Sequence, residues 1–141
     1  MSENITNIED VQRFLDDFHL KTKIFNIVFL DNRDKNLKSL LALEISSLRR
    51  EEIIAWLCAR DYSEGPLPDT LHHISDMWVF GKKVKDEEIY IKISMGRPDN
   101  KTICISFHIA EKSMKFPFKT KTKWQVHLQE AKFCWLKSQE K

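Results

Sequence analysis

The sequence predicts a single α+β domain in which N-terminal helices pack on a mainly antiparallel sheet that ends in a three-stranded meander. Two patterns support this fold class: helical spacing of apolar residues before residue 60, and strand-like alternation from Met77 to His108. With 141 residues, 42% of them hydrophobic and 31% charged, the chain has an ordinary globular composition and is long enough to bury a core.

A helix and a strand are predicted near the N-terminus. Residues 6–9, TNIE, have capping-box spacing, and the apolar residues that follow from Val11 recur at i, i+3, i+4 and i+7. This pattern indicates an amphipathic helix from Asn7 to His19. The next segment, KIFNIVFL at residues 23–30, is rich in β-branched and aromatic residues and predicts a strand.

Two further helices are predicted before the meander. Asp34 is expected to cap the second helix, and Ser46 or Ser47 the third, which should run from about Leu48 to Ala59. The residues expected to face inward are Leu37, Leu40, Leu41 and Leu43 in the second helix and Ile53, Ile54, Trp56 and Leu57 in the third. Residues 61–76, DYSEGPLPDTLHHISD, contain two of the four prolines and are expected to form a loop.

Three strands, MWVFGKKV, EIYIKISM and TICISFH, are predicted to form the meander, with turns near Lys85-Asp86 and at residues 96–100. Alternate residues of a strand point to opposite faces of the sheet, so we expect one apolar face and one polar face. The predicted core face carries Ile89, Ile91 and Ile93 with Ile103, Ile105 and Phe107, and the opposite face carries Tyr90, Lys92 and Ser94 with Cys104, Ser106 and His108.

The polar face would bring together the phenol of Tyr90, the ammonium group of Lys92 and the imidazole of His108. Such a trio can bind a phosphate and transfer protons without a metal. The alternative for Tyr90 and Lys92 is the solvated face of a half-covered strand, and the alternative for His108 is a core or capping histidine. Trp78 and Phe80 share one strand face and are assigned to core packing in preference to base stacking.

A basic C-terminal segment points to an anionic partner. From Lys112 to Lys141 there are eight lysines and two glutamates, although the whole chain carries a formal net charge of only +2. Nucleic acid is the obvious partner, and a solvated lysine-rich tail is the alternative.

The cellular compartment is predicted from the lack of a signal-peptide pattern, of a membrane-span pattern and of paired cysteines. The first ten residues have neither the basic start nor the apolar stretch of a signal peptide, and no apolar run reaches the roughly 20 residues of a membrane span. The cysteines, Cys58, Cys104 and Cys134, are widely spaced and odd in number, so no disulfide framework or cysteine zinc site is expected. We therefore expect a cytoplasmic protein with no membrane partner.

Three segments, DYSEGPLPDT, MWVFGKKVKDEEIYIKI and ICISFHIAEKSMKFPF, occur in an order and spacing that resemble the MqsR family of bacterial toxins from type II toxin–antitoxin systems. The resemblance spans about residues 8–118. It implies a toxin domain at residues 1–118, followed by a basic extension with helical periodicity at residues 119–141 that lies outside the family pattern.

The resemblance implies a RelE-like fold and an endoribonuclease that cleaves mRNA and so inhibits translation and growth. It implies attack of a ribose 2′-hydroxyl on the adjacent phosphate, with no metal and no other cofactor. It also implies a cognate antitoxin protein that binds DNA, and it leaves open whether cleavage depends on the ribosome.

The family pattern is carried over residue by residue. The tyrosine and lysine of the family's VYLKI-like strand match Tyr90 and Lys92, and His108 stands where a family member has a functional lysine. Imidazole exchanges protons near neutral pH, so His108 can replace that lysine as an acid or base. Two positions depart from the pattern: a lysine corresponds to about Ser63 or Glu64, and a glutamine corresponds to Val79.

Glu64 is the fourth catalytic candidate, because a carboxylate can act as a base, although a structural turn beside Gly65 is an equal alternative. Three basic residues, Lys82, Lys83 and Arg97, flank the polar face and are the candidates for RNA phosphate contacts. Since the family's active-site chemistry would be lost at Ser63 and Val79, the alternative function is a non-catalytic RNA-binding or protein-interaction module on the same fold.

Overall fold

A computed structural model describes residues 6–31, 34–71 and 73–119 of the chain. The elements are α1 (Ile8–Phe25), β1 (Ile27–Phe29), α2 (Asp34–Leu43), α3 (Ser47–Ala55), a 3-10 turn (Ala59–Asp61), β2 (Tyr62–Leu67), β3 (Met77–Val84), β4 (Glu87–Ser94) and β5 (Thr102–Ile109). The five strands form one sheet in the order β1-β5-β4-β3-β2, with β1 parallel to β5 and the other pairs antiparallel. The predicted α+β class, with helices on a mainly antiparallel sheet, is confirmed.

The predicted meander is confirmed, with both of its turns. Lys85 and Asp86, at φ 51° and 68°, form the two-residue turn between β3 and β4. Positive φ at both positions is the geometry that matches the right-handed twist of a hairpin. Gly96, at φ 75°, opens the turn between β4 and β5, where a side chain would be strained.

The core lies between α1 and one face of the sheet. The residues of α1 predicted to face inward, Val11, Phe14, Leu15 and Phe18, are buried there, together with Phe80, Ile89, Ile91, Ile93 and Phe107 from the strands. The ring of Phe14 stacks on that of Trp78, with centroids 4.5 Å apart. Trp78 and Phe80 therefore serve the core, as the sequence indicated.

Several element boundaries differ from the prediction. The first helix continues to Phe25, where Asn26 at φ 75° ends it, so the strand predicted at residues 23–30 is reduced to β1. The third helix ends at Ala55 and leaves Trp56 half-buried. The reason in both cases is the hydrogen bonding of the terminal turn, which apolar patterns do not encode.

The first part of the predicted loop at residues 61–76 is a strand. β2 pairs with β3 through Tyr62, Glu64 and Leu67, with two register shifts between them. Pro66 is compatible with this arrangement because β2 is an edge strand, where a missing backbone N–H is tolerated. The proline signal indicated an irregular segment but concealed its pairing with the sheet.

A bulge in β5 corrects the predicted faces of that strand. Lys92 pairs with Ser106 but the next residue, Ile93, pairs with Cys104, so Ile105 is the extra residue. Cys104 consequently faces the core, where it is buried, while Ile103 pairs with Ser94 on the other face. The predicted alternation holds from Ser106 onward and is inverted before the bulge.

The buried face of α2 is partly polar, contrary to the leucine pattern. Leu37 and Leu41 are exposed, whereas Asn36 and Ser39 are buried with Leu43. The cause is the short length of β1, whose pairing with β5 ends at Cys104 and leaves the rest of that strand edge without a partner strand. A helix that covers such an edge must supply hydrogen bonds.

Asn36 and Ser39 supply those hydrogen bonds. The Asn36 side chain accepts from Phe107 N at 3.0 Å and donates from Nδ2 to Ile105 O at 3.3 Å and to Leu30 O at 3.0 Å. Ser39 Oγ accepts from Ile109 N at 2.9 Å. The two polar side chains thus make hydrogen bonds to the part of the β5 edge that β1 is too short to cover.

One predicted feature, the basic C-terminal extension, lies almost entirely outside the residues that the structure describes. The extension predicted at residues 119–141 lies outside the described residues apart from Lys119. Within the described part of the chain, no helix is long and apolar enough to cross a membrane.

Cys104 is a buried free thiol, and burial raises its pKa, but Cys58 is disulfide-bonded, which the cysteine spacing did not predict.

We expect Asn36→Ala to lower the free energy of unfolding by about 2–4 kcal/mol, because one buried and two partly buried backbone groups lose their partner. Urea unfolding monitored by circular dichroism measures this change. Lys38→Ala, an exposed position on the same helix, is the control and should stay within about 0.5 kcal/mol of the wild type. Equal stabilities for the two variants would show that water satisfies the β5 edge without Asn36.

Candidate active site

A pocket of about 590 Å³ lies on the sheet face opposite the core. Its floor comes from four strands, and its wall from α2 and from the segment that follows β5. The lining residues are Lys35, Ser63, Glu64, Val79, Tyr90, Lys92, Ser106, His108, Glu111, Lys112, Ser113, Met114 and Lys115. The four catalytic candidates named from the sequence, Glu64, Tyr90, Lys92 and His108, are all among them.

The register of the strands explains why these side chains meet. Residues paired across neighbouring strands project from the same face of a sheet. One row across the sheet contains Glu64, Val79, Lys92 and Ser106, and the next contains Gly81, Tyr90 and His108. Since Ile89, Ile91 and Phe107 between them point to the core, both rows are directed into the pocket.

Tyr90 and His108 stack on each other in the pocket. Their rings stack with centroids 5.2 Å apart and planes inclined by 15°. His108 is only 7% exposed, and its Nδ1 lies 2.9 Å from the carbonyl oxygen of Ile109. A carbonyl oxygen can only accept, so Nδ1 donates, and in the neutral ring Nε2 carries the lone pair that a general base needs.

The lining charges favour an anion. Four lysines and two glutamates give a net charge of +2 with His108 neutral. Lys35 Nζ lies 2.9 Å from Glu111 Oε2, and this hydrogen bond and charge hold the pKa of Glu111 below its usual value. His108 and Lys112 lower that pKa further by smaller amounts. Glu111 is therefore ionised at neutral pH, within electrostatic reach of the imidazole.

Gly81 allows the wall of the pocket to pack closely on the sheet. A Cβ atom at this position would lie 2.6 Å from Cζ of Phe116 and 3.0 Å from Sδ of Met114. The backbone N–H of Met114 also donates to Glu88 Oε1 at 3.4 Å. The segment after β5 is thus held against β3 and β4, which fixes the position of the wall.

The structure does not bring the predicted RNA-binding residues to the pocket. Lys82 alternates with Gly81 and so points to the core side, where its Nζ lies 3.0 Å from Oδ2 of the buried Asp61. Lys83 is exposed toward the hairpin end of β3, and Arg97 is exposed in the turn after β4. None of the three lines the pocket.

Sequence reasoning missed the residues of the pocket wall. Lys112 and Lys115 directly follow the last predicted strand, and their spacing in HIAEKSMK was the available signal. Lys35 gave no such signal, because only the packing of α2 against β5 brings it to the pocket. Ser106 was placed on the correct face without a role.

Comparison with known proteins identifies no family: no protein-family model, no curated protein and no solved structure matches this chain. In residues 6–31, 34–71 and 73–119, no group of three or more His, Cys, Asp or Glu side chains is arranged to hold a metal ion. What the pocket does is therefore argued from its own geometry.

We expect Gly81→Val to destabilise the fold by about 1–3 kcal/mol, because the added carbons collide with Phe116 and Met114. Urea unfolding measures the loss. Lys83→Val is the control, since it places the same side chain at an exposed position of the same strand. The penalty should shrink in a Phe116→Ala background, and an undiminished penalty there would assign the strain to another contact.

Proposed function

We propose that this protein is the toxin of a type II toxin–antitoxin system, with a RelE-like fold and metal-independent endoribonuclease activity on mRNA. One observation carries the proposal: a phenol, an ammonium group, an imidazole and a carboxylate, named from the family resemblance, line one positively charged pocket. These groups can bind a phosphodiester and transfer the protons of its cleavage.

The reaction is an intramolecular transesterification of the RNA. Nε2 of His108 takes the proton of a ribose 2′-hydroxyl, whose oxygen then bonds to the adjacent phosphorus. The bond from phosphorus to the 5′-oxygen breaks, and that oxygen receives a proton from the hydroxyl of Tyr90. Solvent then takes the proton of the His108 imidazolium and returns one to the Tyr90 phenolate. The products are a 2′,3′-cyclic phosphate and a 5′-hydroxyl end, and both side chains are restored.

Lys92 stabilises the additional negative charge that the phosphorane carries. It lies in the row between Val79 and Ser106, two residues along β4 from Tyr90. An ammonium group at the position where charge develops lowers the barrier more than it strengthens ground-state binding.

Glu64 reaches the pocket from the β2 edge of the sheet, on the same face as His108. It belongs to β2, three strands away from His108 on β5, which is roughly 14 Å at the backbone. A carboxylate on that side can take the 2′ proton if His108 instead protonates the leaving oxygen. In this alternative Glu64 is the base and His108 replaces Tyr90 as the acid, while Lys92 keeps the same role.

A non-catalytic RNA-binding or protein-interaction module is the second candidate function. Val79, where the family pattern has an amide, is 1% exposed and offers no hydrogen-bonding group to a phosphate or base. A pocket with the same charges but without that amide would still bind an anionic chain.

We expect the purified protein to cleave a mixed-sequence RNA in EDTA and to leave 5′-hydroxyl ends. His108→Ala and Tyr90→Phe should each reduce the cleavage rate by about 10²- to 10⁴-fold, since each removes a proton-transfer group. His73→Ala, at an exposed position outside the pocket, is the control and should retain the wild-type rate. Rates are measured on end-labelled RNA, and the new ends are mapped.

Wild-type rates in both folded variants would refute the assigned roles. If the wild type leaves RNA intact, ribosomes are added, and cleavage that appears only then identifies a ribosome-dependent enzyme. RNA that is bound but still intact favours the module. Growth arrest on expression, relieved by the product of a neighbouring gene that binds DNA, tests the toxin–antitoxin assignment separately.

A further inference from the structure

We propose that the wall of the pocket contains a second phosphate subsite, formed by Lys35, Lys112 and Lys115, which binds an RNA phosphate next to the one held at Lys92. We further propose that Glu111 occupies this subsite in the free protein and must release Lys35 when RNA binds. The proposal rests on the proposed function in one respect, that the ligand is RNA.

The subsite is separate from the catalytic groups. Lys92 rises from β4 in the floor of the pocket, whereas Lys35 belongs to α2 and the other two lysines to the segment after β5. A volume of about 590 Å³ lies within the range of pockets that take ligands of several hundred daltons. The pocket therefore has room for more of an RNA strand than one phosphate group.

The wall lysines project from backbone that is held in place. Lys115 stands between Met114 and Phe116, both of which contact the position of Gly81, and the Met114 N–H is bonded to Glu88. Lys35 adjoins Asn36, whose side chain is bonded to β5. Because the segment after β5 and the start of α2 are both attached to the sheet, the lysines stay on one side of the pocket. Binding of a phosphate therefore requires ordering of the lysine side chains but not of the backbone.

Glu111 imitates the ligand of the subsite. Its carboxylate, like a phosphate, presents oxygens to Lys35, at 2.9 Å. More than half of each side chain in this pair is exposed, and exposed pairs of this kind are weak, so a phosphate can replace Glu111 at little cost. The displaced carboxylate remains near the bound phosphate and repels it, which lowers the affinity for RNA.

Binding of a fluorescent 2′-O-methyl oligoribonucleotide, which has no 2′-hydroxyl to attack, tests the subsite apart from catalysis. We expect Lys35→Gln and Lys112→Gln each to weaken binding about three- to tenfold in fluorescence anisotropy. Each should also reduce the slope of log K against log salt concentration by about 0.7, the contribution of one phosphate in a single strand. Lys101→Gln, an exposed lysine at the other end of β5, controls for the loss of one charge.

Glu111→Gln should have the opposite effect and tighten binding by up to about fivefold, because the competing carboxylate is removed. In a Lys35→Gln background this gain should largely disappear, since the two residues then no longer compete through one ammonium group. Weaker binding by Glu111→Gln would overturn its role as an internal competitor.

The outcomes separate this inference from the proposed function. If the wild type cleaves RNA but both lysine variants bind with wild-type affinity and salt slope, the subsite is refuted and the enzyme stands. If the wild type never cleaves but the lysine variants lose affinity as expected, the subsite stands and the enzyme is refuted. A wild type that does not bind the oligonucleotide, or a Lys101→Gln variant as impaired as Lys35→Gln, refutes the subsite.

Discussion

The buried amide of Asn36 joins the parts of the chain that build the pocket. It is bonded to the end of β1 through Leu30 and to the exposed edge of β5 through Ile105 and Phe107. Its neighbour Lys35 faces the pocket from α2, and the residue after Phe107 is His108. Loss of this amide would leave backbone groups of Leu30, Ile105 and Phe107 unpaired and would release β5 from the helix that covers it.

The sheet can carry a polar pocket because one of its faces is buried in the core and the other is not. Isoleucines of β4 and aromatic residues of β3 and β5 bury one face, and this burial fixes the register of the strands. A shift of one residue would send Tyr90, Lys92 and His108 into the core. The hydrophobic effect thus places the polar groups of the pocket, while the close approach of Phe116 to Gly81 sets the wall opposite them.

Much of the sheet and part of the site could be predicted from local patterns. The strands β3 to β5, their two turns and the buried face of α1 follow from spacing, since burial on one side leaves a period in the sequence. The same alternation placed Tyr90, Lys92, Ser106 and His108 on one face. It failed at Ile105, because a bulge inverts the faces without altering the apolar character of the strand.

The sequence by itself determined the fold class, the order of the strands in the meander and which side chains share its polar face, because neighbouring strands pair through short turns. Only the tertiary structure decided that β2 joins the sheet and that α2 buries Asn36 in place of leucines. It also decided that Lys35 meets Glu111 in the wall of the pocket. These contacts join distant parts of the chain, and they depend on which backbone groups lack a partner after the sheet has formed, a quantity that no local pattern contains.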